Sequence, residues 1–143
     1  GGTTTFLRAD GTFAAPTAPP NEATQAAIEA ETAEATYVPP DLVKNSPGVA
    51  KVWALIAAAG TLTAGYNVAS ITDAGVGNRT IVIATDFSSA NYVVVSSIHD
   101  TIGAGADQQT LNSSLAAGSF THQTYIAAVL TDLISSVVAY GDQ

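Results

Sequence analysis

Tyr66-Asn67-Val68-Ala69-Ser70-Ile71 and, a few residues later, Thr80-Ile81-Val82-Ile83-Ala84-Thr85 are the segments whose reading decides the fold. Both are rich in β-branched and aromatic side chains, which suit a pleated, half-buried surface better than a helix. The connection between them, Thr72–Asn78, contains Gly75 and Gly77, the residue type that supplies turns. The same texture recurs at Tyr92–Ile98, Thr124–Leu130 and Ser136–Tyr140. Gly, Asn, Asp and Ser separate these runs. Several short strands at this spacing predict an antiparallel sandwich. The expected fold class is mainly β, with a small antiparallel β-sandwich knob over 47–143.

Upstream of the knob the texture changes. Lys51–Ala59 is ambiguous, since its Ala content favours helix while Val49, Val52 and Trp53 suit a strand. Residues 21–46 read as a helix-turn-helix neck. Asn21–Ala35 is rich in Ala, Glu and Gln, with Ile28 as its single large apolar residue. Asn21 or Thr24 supplies the N-cap and Glu22 sits where the helix dipole favours an acid. Glu29, Glu31 and Glu34 oppose that dipole at the other end. Pro39, Pro40 and Asp41 head a second short helix, ended by Asn45 and Pro47. Neither helix has enough apolar face to fold alone, so both need partners. Residues 1–20, closed by Pro16, Pro19 and Pro20, read as an extended arm or linker. Within it Asp10-Gly11 reads as a two-residue hairpin turn flanked by Phe6 and Phe13. An arm that carries aromatics is expected to dock on something.

Charge narrows the function. The 143-residue chain carries 4 Lys+Arg against 12 Asp+Glu, a formal net charge of −8. All four basic residues (Arg8, Lys44, Lys51, Arg79) lie in the first 79 positions, and Thr80–Gln143 has five Asp and no Lys or Arg. Affinity for phosphate needs clustered cations, so nucleic acid is not an expected partner. The same shortage argues against a polybasic membrane patch, and no apolar run approaches the ~20 residues of a bilayer span. The first residues lack the charged and apolar regions of a signal peptide. Charged residues make up only 11% of the chain and hydrophobic ones 47%, which argues against disorder outside the N-terminal tract. Ala supplies much of that 47%, so bulky core material is thinner than the figure suggests. With no Cys, disulfides, thiolate catalysis and thiolate metal sites are excluded, while the compartment is left open. The absence of Met leads us to expect a chain that has lost at least its initiator, or the C-terminal piece of a longer protein.

Several ordered stretches resemble the C-terminal module of bacteriophage tail fibre proteins. They are Ala23-Thr24-Gln25-Ala26-Ala27-Ile28-Glu29-Ala30, then Tyr37-Val38-Pro39-Pro40-Asp41, then Val43-Lys44-Asn45-Ser46-Pro47-Gly48-Val49-Ala50-Lys51-Val52-Trp53. Gly60-Thr61-Leu62, Tyr66–Asp73, Phe87–Val95 and the closing Ser136-Val137-Val138-Ala139-Tyr140-Gly141 continue the likeness in the same order. Thr3–Pro16 resembles the segment that often precedes the module in phage fibres. The resemblance implies a virion structural protein, a homotrimer with a β-rich knob reached through a helical neck. It also implies strand for roughly Ala50–Ile56. Departures are Glu31, where the family tends to have Gly, and Leu55–Ala59, more apolar than the usual polar turn. No specificity loop of the family is recognised over Thr101–Thr121.

No residue set points firmly to chemistry. His99 and His122 are the only histidines. With Asp100, Asp107 or a Ser they could form a hydrolase triad or a metal pair, but no Gly-x-Ser-x-Gly elbow accompanies them. Surface or trimer-axis polar roles suit them better, with His122 the better candidate for an ion at a threefold axis. Glu29, Glu31 and Glu34 could be the paired carboxylates of a glycosidase, yet they lack the apolar cover that raises a pKa. Asp73–Asn78 has oxygen ligands and glycines without EF-hand spacing, and reads as a turn. Gly103-Ala104-Gly105 lacks the Lys of a phosphate loop and reads as a surface loop. Trp53, Tyr66, Tyr92, Tyr125 and Tyr140 could stack on sugars, although core or interface packing is the simpler role. Receptor-contact loops are expected at Ser88–Asn91, Thr101–Thr110 and Asn112–Ser119.

The expectation is a non-enzymatic phage virion protein with no cofactor and no catalytic or metal-binding residue. It is the C-terminal part of a homotrimeric tail fibre attaching to a host surface glycan or protein, its arm joined to other virion proteins. The alternatives are a trimeric capsid decoration or head fibre protein and, in another class, a glycan-cleaving tail spike fragment.

Overall fold

A computed structural model describes residues 6–7, 9–14, 20–32, 36–46, 48–99 and 107–143. The chain forms two compact units, Gly1–Leu42 and Val43–Gln143. Among its described residues the first contains a two-stranded hairpin, β1 (Phe6–Leu7) with β2 (Phe13–Ala14), and one short helix, α1 (Gln25–Glu29). The hairpin pairs Leu7 with Phe13 and Phe6 with Ala14, a register too wide for a two-residue turn at Asp10-Gly11. Asp10 Oδ1 closes that loop by accepting from Thr12 N at 3.0 Å and Thr12 Oγ1 at 2.7 Å. Gly11 supplies the left-handed φ of 81°.

Thr24 caps α1, its Oγ1 accepting from Ala27 N at 3.2 Å. The helix ends with Glu31 N donating to Ile28 O and Thr32 N to Ala27 O, with Glu31 at φ 54°. That is the C-terminal geometry that glycine satisfies most cheaply. Ile28, the helix's one large apolar residue, is buried. Tyr37 is tied to the segment ahead of α1, its backbone bridging Asn21 and Ala23 and its hydroxyl donating to Glu22 Oε1 at 2.7 Å. The second neck helix is not formed. In its place stands a single 3₁₀ turn, Val43–Asn45, since with Val43 45% exposed the segment buries too little apolar surface to hold a longer helix, and the carbonyls of Lys44 and Ser46 accept from the buried Lys51 ammonium.

The second unit is two antiparallel sheets. One has four strands in the order β4 (Leu62–Tyr66), β3 (Val52–Ile56), β11 (Ser135–Tyr140), β7 (Val93–Ile98). The other runs β10 (Val129–Leu130), β9 (Ser119–Ile126), β6 (Asn78–Ile83), β5 (Val68–Asp73), with β8 (Gln108–Ala116) on the free edge of β9. The ambiguous Lys51–Ala59 is a strand at its centre, where Val52, Ala54 and Ile56 point inward and are fully buried. Tertiary burial here overrides the helix propensity of its alanines. Facing them across the core are Ile81, Ile83 and Phe120, joined by Val137 and Ala139 from β11. Phe87 stacks on Tyr92 at 4.1 Å between ring centroids, and Phe120 meets Tyr92 edge-on at 6.2 Å. The buried Tyr92 hydroxyl donates toward the carbonyls of Ala116 and Ser119, both at 3.0 Å.

One of the three expected loops, Asn112–Ser119, is largely strand, and of Thr101–Thr110 the last three residues begin β8. Gln108–Ala116 and Ser119–Ile126 form one long hairpin, leaving only Ala117 and Gly118 as its turn. Residues 100–106 lie outside the described residues, whereas Ser88–Asn91 is exposed and irregular as expected. β8 escapes a pattern reading because its inward residues, Thr110 and Asn112, form hydrogen bonds instead of packing apolar surface.

The chain crosses from one sheet to the other at Asn67, between β4 and β5. Its φ of 57° turns the backbone. Its amide then ties the corner, with Nδ2 donating to Lys51 O at 3.1 Å and Thr85 O at 3.0 Å, and Oδ1 accepting from Thr85 N at 2.7 Å. Replacing Asn67 by Ala removes these bonds and loses the tolerance of asparagine for left-handed backbone. The expected loss is about 2–3 kcal/mol, read as a lower urea midpoint with an unchanged slope. Asn67→Gly should recover only the backbone part.

Candidate functional site

The surface that distinguishes the sandwich is the outer face of its four-stranded sheet. Strand register places Tyr66, Trp53, Val138 and Val95 side by side across all four strands. The adjacent row is Ala64, Leu55, Ser136 and Ser97, and Tyr140 pairs with Val93 on the other side. Val93 is 62% exposed, Val95 57%, Tyr66 55% and Trp53 41%. Antiparallel strands open to water on one side normally alternate apolar with polar residues. Here the alternation fails. Val52-Trp53-Ala54-Leu55-Ile56 is apolar on both faces, and none of the four strands contains Asp, Glu, Lys or Arg.

The inner side of the sandwich is polar at one end. Arg79 and His122 are cross-strand neighbours on β6 and β9, and both are fully buried. Arg79 Nη2 donates to Ala58 O at 2.6 Å and pairs with Asp132 Oδ1 at 3.3 Å. Asp132 Oδ1 also accepts from Gly77 N at 2.6 Å. Gly77 has φ 64°, and a β-carbon there would lie 2.5 Å from Thr131 N, so the turn and the carboxylate are fixed together.

His122 completes a hydrogen-bonded chain across the sandwich. Ser96 Oγ donates to Thr110 Oγ1 at 2.8 Å, and Asn112 Nδ2 donates to Ser96 Oγ at 2.9 Å. Asn112 Oδ1 is therefore the acceptor for His122 Nδ1 at 2.8 Å, and His122 Nε2 accepts from Ser135 Oγ at 3.0 Å. This arrangement suits a neutral imidazole. Burial first, and the neighbouring Arg79 charge second, lower its pKa to about 4.

The structure does not bring the two histidines together. His122 bonds Ser135, which faces inward on β11, whereas the exposed His99 bonds Ser136, on the opposite face, at 2.8 Å. Burial of His122 inside the protomer also removes it from any threefold axis. Asp107 accepts from Gln109 Nε2 at 2.8 Å, and Asp100 lies outside the described residues. Among the described residues no three His, Cys, Asp or Glu side chains gather as a metal site, and no helix is long and apolar enough to cross a membrane. Glu29 and Glu31 are exposed on and just after α1, while Glu34 and the 103–105 glycine segment lie outside the described residues. Asp73–Asn78 is a turn, in which Asp73 Oδ1 accepts from Gly75 N at 2.9 Å.

The five aromatics separate by location. Tyr92 belongs to the core, Trp53, Tyr66 and Tyr140 lie on the outer face just described, and Tyr125 lies on the five-stranded sheet. There Tyr125, Gln109, Leu111, Thr110 and Ala128 line an open depression of about 250 Å³. Ala127 and Ala128, beside it, make the β9–β10 turn with φ of 47° and 65°. Two successive alanines in that conformation store strain that Asn-Gly would relieve.

No protein-family model, curated protein or solved structure matches the chain.

The buried imidazole gives the sandwich a defined acid sensitivity. Unfolding restores the ordinary pKa of 6.5, so between pH 6.5 and 4 the unfolded chain holds the extra proton. His122 therefore contributes its full stability above pH 6.5 and loses it as pH falls toward 4, by at most about 3 kcal/mol. Urea midpoints at pH 7 and pH 4.5 should differ by less in His122→Gln than in the native chain. Equal differences would contradict the buried neutral imidazole.

Proposed function

We propose that the chain is a structural protein of a bacteriophage virion, the C-terminal part of a homotrimeric tail fibre that attaches to the host surface. Two things support this reading. One is the ordered likeness of Ala23–Ala30, Tyr37–Asp41, Val43–Trp53 and the later strands to the tail fibre module. The other, and the observation that carries it, is a sandwich whose four-stranded sheet is uncharged and apolar on its outer face. Such a surface is suited to being covered in an assembly.

In this reading the activity is mechanical and adhesive, without catalysis. Arg79 and His122 are committed to holding the two sheets together. The first unit, with its aromatic hairpin at Phe6–Leu7 and Phe13–Ala14, joins other virion proteins. Host contact falls to exposed segments of the knob, Ser88–Asn91 among them.

Position on the particle tests the reading. Gold-labelled antibody raised against the chain should decorate the tail of intact virions, and the isolated protein should bind host cells. Label confined to the capsid surface would replace the tail fibre with a decoration protein. Release of reducing ends from host polysaccharide would replace both with a glycan-cleaving spike.

A further inference from the structure

We propose that the depression beside Tyr125, on the outer face of the five-stranded sheet, binds one ring of a neutral saccharide. This names a receptor class for the host attachment read above and rests on that reading for its setting, while the site stands on its own chemistry.

Strand register builds the site. Gln109 on β8 stands opposite Tyr125 on β9, and Leu111 stands opposite Gln123. Thr124, between Gln123 and Tyr125, is fully buried on the inner side, so these four side chains share the outer one. Tyr125 Oη donates to Gln123 Oε1 at 3.1 Å, and Gln109 Nε2 donates to Asp107 Oδ2 at 2.8 Å. Each amide is thereby oriented. Among the described residues, Gln109 Oε1 and Gln123 Nε2 are left without a protein partner. They offer an acceptor and a donor beside an aromatic ring. A sugar hydroxyl donates and accepts at once, and the C–H face of a pyranose packs on such a ring.

The framework is set before a ligand arrives. Asp107 O accepts from Ala127 N at 2.8 Å, so the residue that holds Gln109 also holds the Ala127–Ala128 turn. Ala128, at φ 65°, lines the depression. Left-handed backbone at two successive alanines is strain of the kind that clusters at ligand sites. At about 250 Å³ the space falls short of the ~300 Å³ at which pockets for drug-sized ligands begin, which suits one sugar ring.

Other ligands fit worse. No lining side chain is cationic and Asp107 stands at the rim, so an anion would be repelled. A cation would find one ring instead of an aromatic cage, and a carboxylate already engaged by Gln109. An apolar ligand would strip water from both amides without replacing its hydrogen bonds.

Saturation-transfer NMR on the full chain tests the proposal, with the methyl α-glycosides of glucose, galactose, mannose and N-acetylglucosamine as probes. At least one should receive saturation from the protein, with Kd on the order of 1 mM for so few contacting atoms. Glucose 6-phosphate should bind more weakly than glucose. Tyr125→Ala should raise Kd about tenfold through loss of the stacking ring, and Tyr125→Phe should recover most of that loss. Gln109→Leu, at an exposed position, should raise Kd about fivefold, and it decides alone if Tyr125→Ala does not fold. No saturation of any neutral probe, or native affinity in the folded variants, would overturn the site. Loss of binding in Trp53→Ala with Tyr125→Ala unaffected would move the sugar to the four-stranded sheet and overturn it too. Host-cell binding without sugar affinity would sink the site and leave the attachment reading standing. Sugar affinity in a chain found only on the capsid would do the reverse.

Discussion

A sheet that is apolar on both faces has to be covered twice, and a two-sheet sandwich covers it once. In β3 the residues pointing inward are Val52, Ala54 and Ile56, and those pointing outward are Trp53 and Leu55. Its neighbour β11 repeats the arrangement with Val137 and Ala139 inside, and Val138 and Tyr140 outside. Burial is worth roughly 25 cal/mol for each Å² of apolar surface, so the uncovered side is a standing source of association free energy. The inner face is spent on folding. The outer face is what the fold leaves exposed.

The interior is itself divided. Toward the Phe87, Tyr92 and Phe120 end it is close-packed and aromatic, and Gly141 is forced because a β-carbon there would lie 2.6 Å from Tyr92 Cβ. Toward the Arg79 end it is a polar wedge. A guanidinium with no exposed surface has to be balanced, and Asp132, reaching in from beside β11, does so while half of its own side chain remains in water. Burial, with that cation as a second cause, fixes the state of its neighbour. His122 stays neutral beside Arg79, and a neutral imidazole can accept from Ser135 on one sheet while donating to Asn112 on the other. The polar wedge thus joins the sheets by directional bonds where apolar packing runs out. Breaking one partner would leave a buried polar group unsatisfied, a larger loss than the bond itself contributes.

Much of the sandwich is legible in the sequence because alternation with period two survives in the central strands. Arg79-Thr80-Ile81-Val82-Ile83 and Phe120-Thr121-His122-Gln123-Thr124 place Arg79 and His122 on the same face as Ile81 and Phe120. That pattern could have marked both as interior, and composition alone does not. Asp132 is beyond such a reading, since it meets Arg79 from 53 residues away. Strand β8 is hidden for the opposite reason, because Gln108-Gln109-Thr110-Leu111-Asn112-Ser113 is polar on both faces and reads as a loop. The exposed role of Trp53 is hidden by excess, since an apolar run does not say which of its faces is inside. Glu31 is a partial success: a position noted as departing from glycine proves to need left-handed backbone. The short neck misleads in its second half, where Val43 is exposed and only a 3₁₀ turn, Val43–Asn45, forms for want of apolar surface to bury.

The chain has no Cys, so one introduced at a chosen site carries a spin label without competition. Dipolar spectroscopy on the full chain labelled through Val138→Cys, on the outer face, should give a single distance between copies if the chain is the homotrimer proposed above. No coupling between chains would contradict the homotrimer, and with it the fibre reading.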